Sequence, residues 1–233
     1  MAEELTLPSE CVVVTSASGF SGWPTGALDF LRELEQHNDR DWFRANRARY
    51  DALLREPTLA LGADLADLGR AHVFRPYNDA RFHERPPIKE HVGLAVGMEG
   101  AGGYYVEFSL DGLFLAAGLY NPQSDQVERL RTAIDDGRRA AALQRALASA
   151  EQAGLLLGEP DLKRVPRGYP AEHPRADLLR HRRLVLHRRV PVAKWMSTRA
   201  AGTRIATTLG AATPLVTWLR TNVGPTDRPR ERR

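Results

Sequence analysis

The chain has a single cysteine, Cys11, in 233 residues. One cysteine cannot close an internal disulfide, which excludes a disulfide scaffold and points to a reducing, cytoplasmic setting. Three valines follow Cys11, so it reads as a small apolar residue rather than a nucleophile. Lysine is scarce too: the 33 basic residues include only Lys89, Lys163 and Lys194. The arginine excess fits a coding bias at most positions and bidentate anion contacts at a few. No run approaches the roughly 20 apolar residues that a membrane helix needs, so no membrane partner is expected. The first residues carry Glu3 and Glu4 and lack the basic start and apolar run of a secretory signal. A P-loop, a dinucleotide fingerprint opening a helix, a G-x-S-x-G elbow and a cysteine pair are all missing. Nucleotide-driven, nicotinamide-dependent and thiol chemistry lose weight accordingly, and no cofactor is expected.

What is present is an ordinary globular composition, 42% hydrophobic, in a chain long enough to bury a core without staples. Apolar residues recur at helical spacing from about Thr25, with Leu28, Phe30, Leu31 and Leu34. Asn38 and Asp39 are positioned to cap a second helix over residues 40–55, whose buried face holds Trp42, Phe43, Tyr50, Leu53 and Leu54. Pro57 is expected to end or kink it, and a third helix over 58–68 stops at Gly69. The period then changes to two, giving strands over 91–97, 104–110 and 113–119. In the second, Tyr104, Val106, Phe108 and Leu110 face one way, and Tyr105, Glu107 and Ser109 the other. Asp111-Gly112 signals a hairpin. Helices return over 124–135, 138–153, 176–183 and 203–223, the last broken near Pro214, with a short strand at 184–186. Helices, then a meander, then helices predict one α+β domain over 20–223. Its antiparallel sheet, a central three-strand meander, would pack against the N- and C-terminal helices. Residues 1–19 read as an extension with a short strand at 11–15, and 224–233 as a disordered basic tail.

Four blocks of residues resemble a known bacterial family, domain of unknown function 2461. The first runs from Gly19-Phe20 and Leu28-Asp29-Phe30-Leu31 to Asn38, Arg40, Trp42-Phe43 and Tyr50. The second is Phe74-Arg75-Pro76-Tyr77, Asp79, Arg81-Phe82, Pro87 and Lys89. The third is Gly103-Tyr104-Tyr105-Val106 with Asp111-Gly112-Leu113-Phe114 and Ala117-Gly118, and the fourth joins Leu162-Lys163-Arg164 to Pro166-Arg167-Gly168-Tyr169 and His173-Pro174. The resemblance supplies a reference pattern rather than an activity. In the second block typical members read R-x-x-R-D-x-R-F-S-K-D-K-x-P-Y-K. Here Asn78 replaces an arginine, His83 a serine and Ile88 a tyrosine, and the run Glu84-Arg85-Pro86 is one residue short. The chain therefore departs from the pattern where charged side chains are densest, which suggests a branch recruited to a dedicated biosynthetic pathway.

The segment from Arg75 to His91 holds the densest candidate chemistry. Arg75, Arg81 and Lys89 could converge on an anion, since arginine forks suit carboxylate or phosphate; an ion-pair network with Asp79, Glu84 and Glu90 competes with that reading. His83 and His91 titrate near neutrality and suit acid–base work, but Pro86-Pro87 stands between them and no metal-ligand spacing appears, so no metal is expected. Glu107 shares a strand face with Tyr105; facing a pocket it would serve as acid or base, and facing water it would be an ordinary surface residue. These residues lead to an expected acid–base enzyme, of isomerase, lyase, cyclase or hydrolase type, acting on a small anionic or polar organic molecule. His83, Asp79 and Glu107 would move protons, and Arg75, Arg81, Lys89, Tyr105 and His91 would bind substrate. The competing expectation is a non-catalytic module for nucleic acid or an acidic protein. It would use the tail and the cluster of Arg180, His181, Arg182 and Arg183 with Arg188 and Arg189. Neither basic stretch interleaves aromatic residues as a nucleic-acid footprint usually does.

Overall fold

In α1 (Gly26–Gln36) the buried residues are Ala27, Phe30, Leu31 and Leu34, the spacing that puts four apolar side chains on one helical stripe. Asp39 caps α2 (Arg40–Ala45), its carboxylate accepting from the Asp41 and Trp42 amides. The computed structural model that shows this describes residues 19–79 and 85–227. The expected helix over 40–55 is interrupted at Asn46, whose side chain donates to the Trp42 carbonyl. It resumes as α3 (Arg47–Tyr50) and runs through a π-turn (Asp51–Arg55) into α4 (Glu56–Asp64). Pro57 therefore does not end the helix. The π-turn, with the Glu56 amide reaching back to the Asp51 carbonyl, absorbs the missing proline donor within a continuous helical rod.

Six strands form one antiparallel sheet in the order β1-β2-β3-β4-β6-β5. They are β1 (Ala71–Val73), β2 (His91–Val96), β3 (Gly103–Ser109), β4 (Gly112–Leu119), β5 (Leu156–Leu157) and β6 (Leu184–Val190). The predicted meander is its centre, and the fold is α+β as expected. Two short edge strands and the full length of β6 extend it beyond the sequence reading. The hairpin turn sits one residue earlier than Asp111-Gly112: Leu110 and Asp111 form it, and Ser109 pairs with Gly112. Gly112 (φ 105°) supplies the left-handed residue that starts β4; a Cβ there would lie 2.2 Å from the Val190 carbonyl oxygen.

One face of the sheet, with Leu94, Val106, Phe108, Leu115 and Leu186, is buried in the core. Helices α4, α8 (Ala200–Gly210) and α9 (Thr213–Asn222) contact its central strands. Helices α5 (Ser124–Asp135) and α6 (Gly137–Gln152) pack against α9. Trp23 stacks flat on Phe108, ring centroids 4.4 Å apart, and its indole N–H donates to the Thr58 hydroxyl, so the buried ring leaves no donor unsatisfied. The short helix expected near 176 is α7 (Ala176–Leu179). Past α9 the chain stays anchored through Asp227: Arg129 donates to the Val223 and Pro225 carbonyls, and Thr226 to Asp125. Residues 224–227 thus belong to the ordered body, whereas the arginines of the tail and the strand expected at 11–15 lie outside the described residues. Among the described residues no helix is long and apolar enough to cross a membrane.

Candidate functional site

Strand alternation puts a second set of side chains on the face away from the core. Cross-strand register aligns Gly93, Glu107, Phe114 and Arg189 in one row, and Ala95, Tyr105, Ala116 and His187 in the next. Tyr105 on β3 stands between Ala95 and Ala116, and Glu107 has Gly93 on one side and Phe114 on the other, which makes a trough beside Tyr105. The result is a cleft of about 500 Å³, with Ala95, Ala116 and Gly118 in its lining and Phe74, Phe114 and Tyr120 among its aromatic walls. This volume is ordinary for a small-molecule site. Gly93 matters by what it lacks: a Cβ there would meet the Tyr105 hydroxyl at 2.8 Å and Phe74 at 3.3 Å.

The polar groups of the cleft gather around Glu107. The Tyr105 hydroxyl donates to Glu107 Oε2 at 2.8 Å, and His91 Nε2 lies 3.6 Å from the same oxygen. Glu107 Oε1 accepts no hydrogen bond from any described residue. Burial, reinforced by the adjacent Glu107 carboxylate, pushes the Tyr105 phenol well above its usual range, so it remains a donor through neutral and mildly alkaline pH. Burial also holds the His91 imidazole below its ordinary pKa; Glu107 pulls it back up and Lys89 pushes it further down. Lys89 Nζ donates to the Arg75 carbonyl at 2.9 Å and sits 5.5 Å from the centre of the Phe74 ring. Its pKa is lowered by burial and by nearby Arg75.

Lys89 is held in place by an antiparallel arm. Tyr77 bridges Ile88, the Asn78 amide donates to the Pro87 carbonyl, and the Lys89 amide donates to the Pro76 carbonyl. Asn38 clamps the arm from outside: its Oδ1 accepts from the Ile88 amide, and its Nδ2 donates to the Ile88 carbonyl and to Glu90. Two departures from the family pattern have local roles here. Ile88 is fully buried in the core, and the Asn78 side chain donates across the arm to the Pro86 carbonyl.

Of the residues singled out from sequence, Glu107, Tyr105, His91 and Lys89 meet in the cleft. Arg75 and Asp79 do not line it; both are exposed on the arm, and Arg75 reaches the site through its carbonyl rather than its guanidinium. Arg81 and His83 lie outside the described residues. Among the described residues no group of three His, Cys, Asp or Glu could hold a metal ion. Sequence reading gave Phe74 and Phe114 only as residues of the family pattern, and it assigned neither them, the small floor, Met98 nor Tyr120 to a site. Their signal was there: Gly93, Ala95, Ala116 and Gly118 recur at period two on the strands flanking Tyr105 and Glu107. The basic cluster before and along β6 is largely engaged within the molecule. Arg180 pairs with Asp177 and Arg183 with Asp161, Arg188 donates to the Ala153 carbonyl, and Arg189 lies over Phe114.

A family model described as conserved hypothetical protein (DUF2461) matches residues 26–218. The chain belongs to that family. The match takes in every strand, the Asn38 clamp, the arm and all the cleft residues, so the DUF2461 region and the folded body described above nearly coincide. No curated protein and no solved structure matches the chain.

Proposed function

We propose that this DUF2461 protein is an enzyme that moves protons on a small polar or anionic organic molecule bound in the open-face cleft. Glu107 is the acid–base group, Tyr105 and His91 hold it, and Lys89 attracts the anionic part of the substrate. One observation carries this reading: Glu107 is anchored through Oε2 alone, and Oε1 is left without a described donor beside a largely apolar cleft. A carboxylate fixed by one oxygen and open at the other has the geometry of a general base. Tyr105, kept protonated by its surroundings, can return a proton or steady a developing oxyanion. Isomerisation, elimination, cyclisation and hydrolysis all fit this set of groups. The ion pairs of Arg180 with Asp177 and of Arg183 with Asp161 offset part of the charge that the nucleic-acid alternative would use. The single cysteine supports a reducing, cytoplasmic setting for the enzyme.

The test starts from the compound that accumulates when the gene is deleted, found by untargeted metabolite comparison with the parent strain. The purified protein should convert that compound, and Glu107→Gln should lower kcat by roughly 100-fold or more with the far-UV circular dichroism unchanged. Wild-type turnover by Glu107→Gln removes the proposal.

A further inference from the structure

The cleft is charged at one end only. The row of Gly93, Glu107 and Phe114 lies beside the Lys89–Phe74 contact, and this is where its charged groups are found. Two residues further along β4 the lining is Ala116, with Ala95 across β3, and two further again it is Gly118, with Val185 beside it on β6. Met98 and Tyr120 close that far end, and they are among the most exposed large apolar residues described, at 47% and 65%. From Phe114 to Gly118 is four strand residues, or about 13 Å of apolar trough. An exposed Tyr and Met over a glycine and alanine floor make an apolar surface with room above it, as a site for an apolar ligand would be.

The polar end carries a cation with capacity to spare. Of the three ammonium donors of Lys89 the arm uses one, on the Arg75 carbonyl, and no carboxylate among the described residues forms an ion pair with it. Its base is the Phe74 ring, and the Phe74 ring in turn touches Tyr105, centroids 6.1 Å apart, so the ammonium stands at the entrance to the trough. Glu107 is already neighboured by His91 and by the Tyr105 hydroxyl.

We infer that the cleft takes an elongated amphipathic carboxylic acid, its carboxylate on Lys89 and an apolar body on the order of 13 Å long lying past Tyr105 toward Gly118 and Tyr120. The inference rests on the cleft being the substrate site proposed above, and it names the class of molecule. It also moves the reacting centre. With the head on Lys89 and the body running past Tyr105, Glu107 acts on the chain rather than on the head, so the proton that moves belongs to the chain.

Calorimetric titration of the purified full chain with butyrate, decanoate and decanol separates the parts. Decanoate should bind at least ten-fold more tightly than butyrate, which lacks the body, and ten-fold more tightly than decanol, which lacks the charge. Lys89→Met should erase the preference for decanoate over decanol and leave decanol binding within two-fold of wild type. Ala116→Leu, which fills the trough, should weaken both long ligands; should its melting curve show misfolding, Val185→Phe on the neighbouring strand serves the same purpose. Equal affinity for decanoate and decanol, or no effect of Lys89→Met, overturns the carboxylate assignment. Equal affinity for butyrate and decanoate overturns the elongated body. A protein that binds none of the three, yet shows Glu107-dependent turnover of the accumulated compound, overturns the substrate class and leaves the cleft as the active site. Absence of both binding and turnover removes the cleft itself.

Discussion

Asn38 makes three hydrogen bonds to the segment that carries Lys89, two of them to the backbone of the fully buried Ile88. An amide can offer a donor and an acceptor to one backbone unit at once, which neither aspartate nor serine can do in the same geometry. Asn38→Ala would leave the Ile88 amide and carbonyl partly buried without partners. The expected loss is roughly 2 kcal/mol of folding stability, read from the shift of the urea midpoint at constant slope. Sequence reading placed Asn38 and Asp39 together at a helix start, and of the two it is Asp39 that caps. The long-range role of Asn38 joins residues 50 positions apart and leaves no local pattern to read. Glu107, by contrast, was legible, because alternation along β3 fixes its face and its companion Tyr105. Arg75 and Asp79 were drawn to the site by proximity in sequence alone. An antiparallel arm sends neighbouring side chains to opposite sides, so closeness along the chain is a poor guide there.

The elements were legible in proportion to how one-sided their burial is. The three meander strands have one fully buried face, and their boundaries differ from the sequence reading by at most one residue at each end. Strand β6 was read as three residues because Arg188 and Arg189 end its apolar alternation; its pairing with Leu113, Phe114 and Leu115 is made by backbone groups that tolerate exposed arginine. Strands β1 and β5 are edge pieces of 3 and 2 residues, too short for any period to show. The trough floor was illegible for a different reason: glycine and alanine carry no chemistry, and their meaning lies in the large neighbours they make room for. The hairpin between β3 and β4 sets the register of that floor, and it gives the prediction at this scale. Gly112 (φ 105°) and Gly100 (φ 87°) both hold left-handed backbone, but a Cβ on Gly112 strikes the Val190 carbonyl, whereas one on Gly100 meets nothing within 4 Å. Gly100→Ala should therefore cost only conformational strain, about 1 kcal/mol. Gly112→Ala should cost roughly 2 kcal/mol or more, because β4 must also pull away from β6. Parallel thermal melts of the two variants measure the difference, and equal losses would show that the β4–β6 contact yields freely.

At the scale of the whole molecule, a sheet covered by helices on one face and hollowed on the other places two imidazoles where water is scarce. His91 lies in the cleft, and His181 is buried just before β6, among Asp161, Glu159, Arg180 and the backbone of Arg183. Burial is the largest influence on each, and it lowers both pKa values despite the nearby carboxylates. The sign follows from which state binds the proton. As pH falls below the ordinary histidine value of about 6.5, the unfolded chain takes up protons that the folded chain refuses. Stability is thus full above that value, falls as pH drops through the window below it, and levels off once the folded-state pKa values are passed. The carboxylates held low in the fold, Asp125 and Asp161 among them, lose their contribution only below about pH 4. Chemical unfolding at a series of pH values should show the first decline, with a slope of up to about 1.4 kcal/mol per pH unit for each histidine. His181→Leu should remove one share of that slope, and His91→Asn the other. The two variants are expected to be additive, because one group lies at the start of β6 behind α7 and the other on β2 in the cleft. A wild type and a double variant that trace the same curve between about pH 7 and pH 5 would mean that the fold holds neither imidazole neutral.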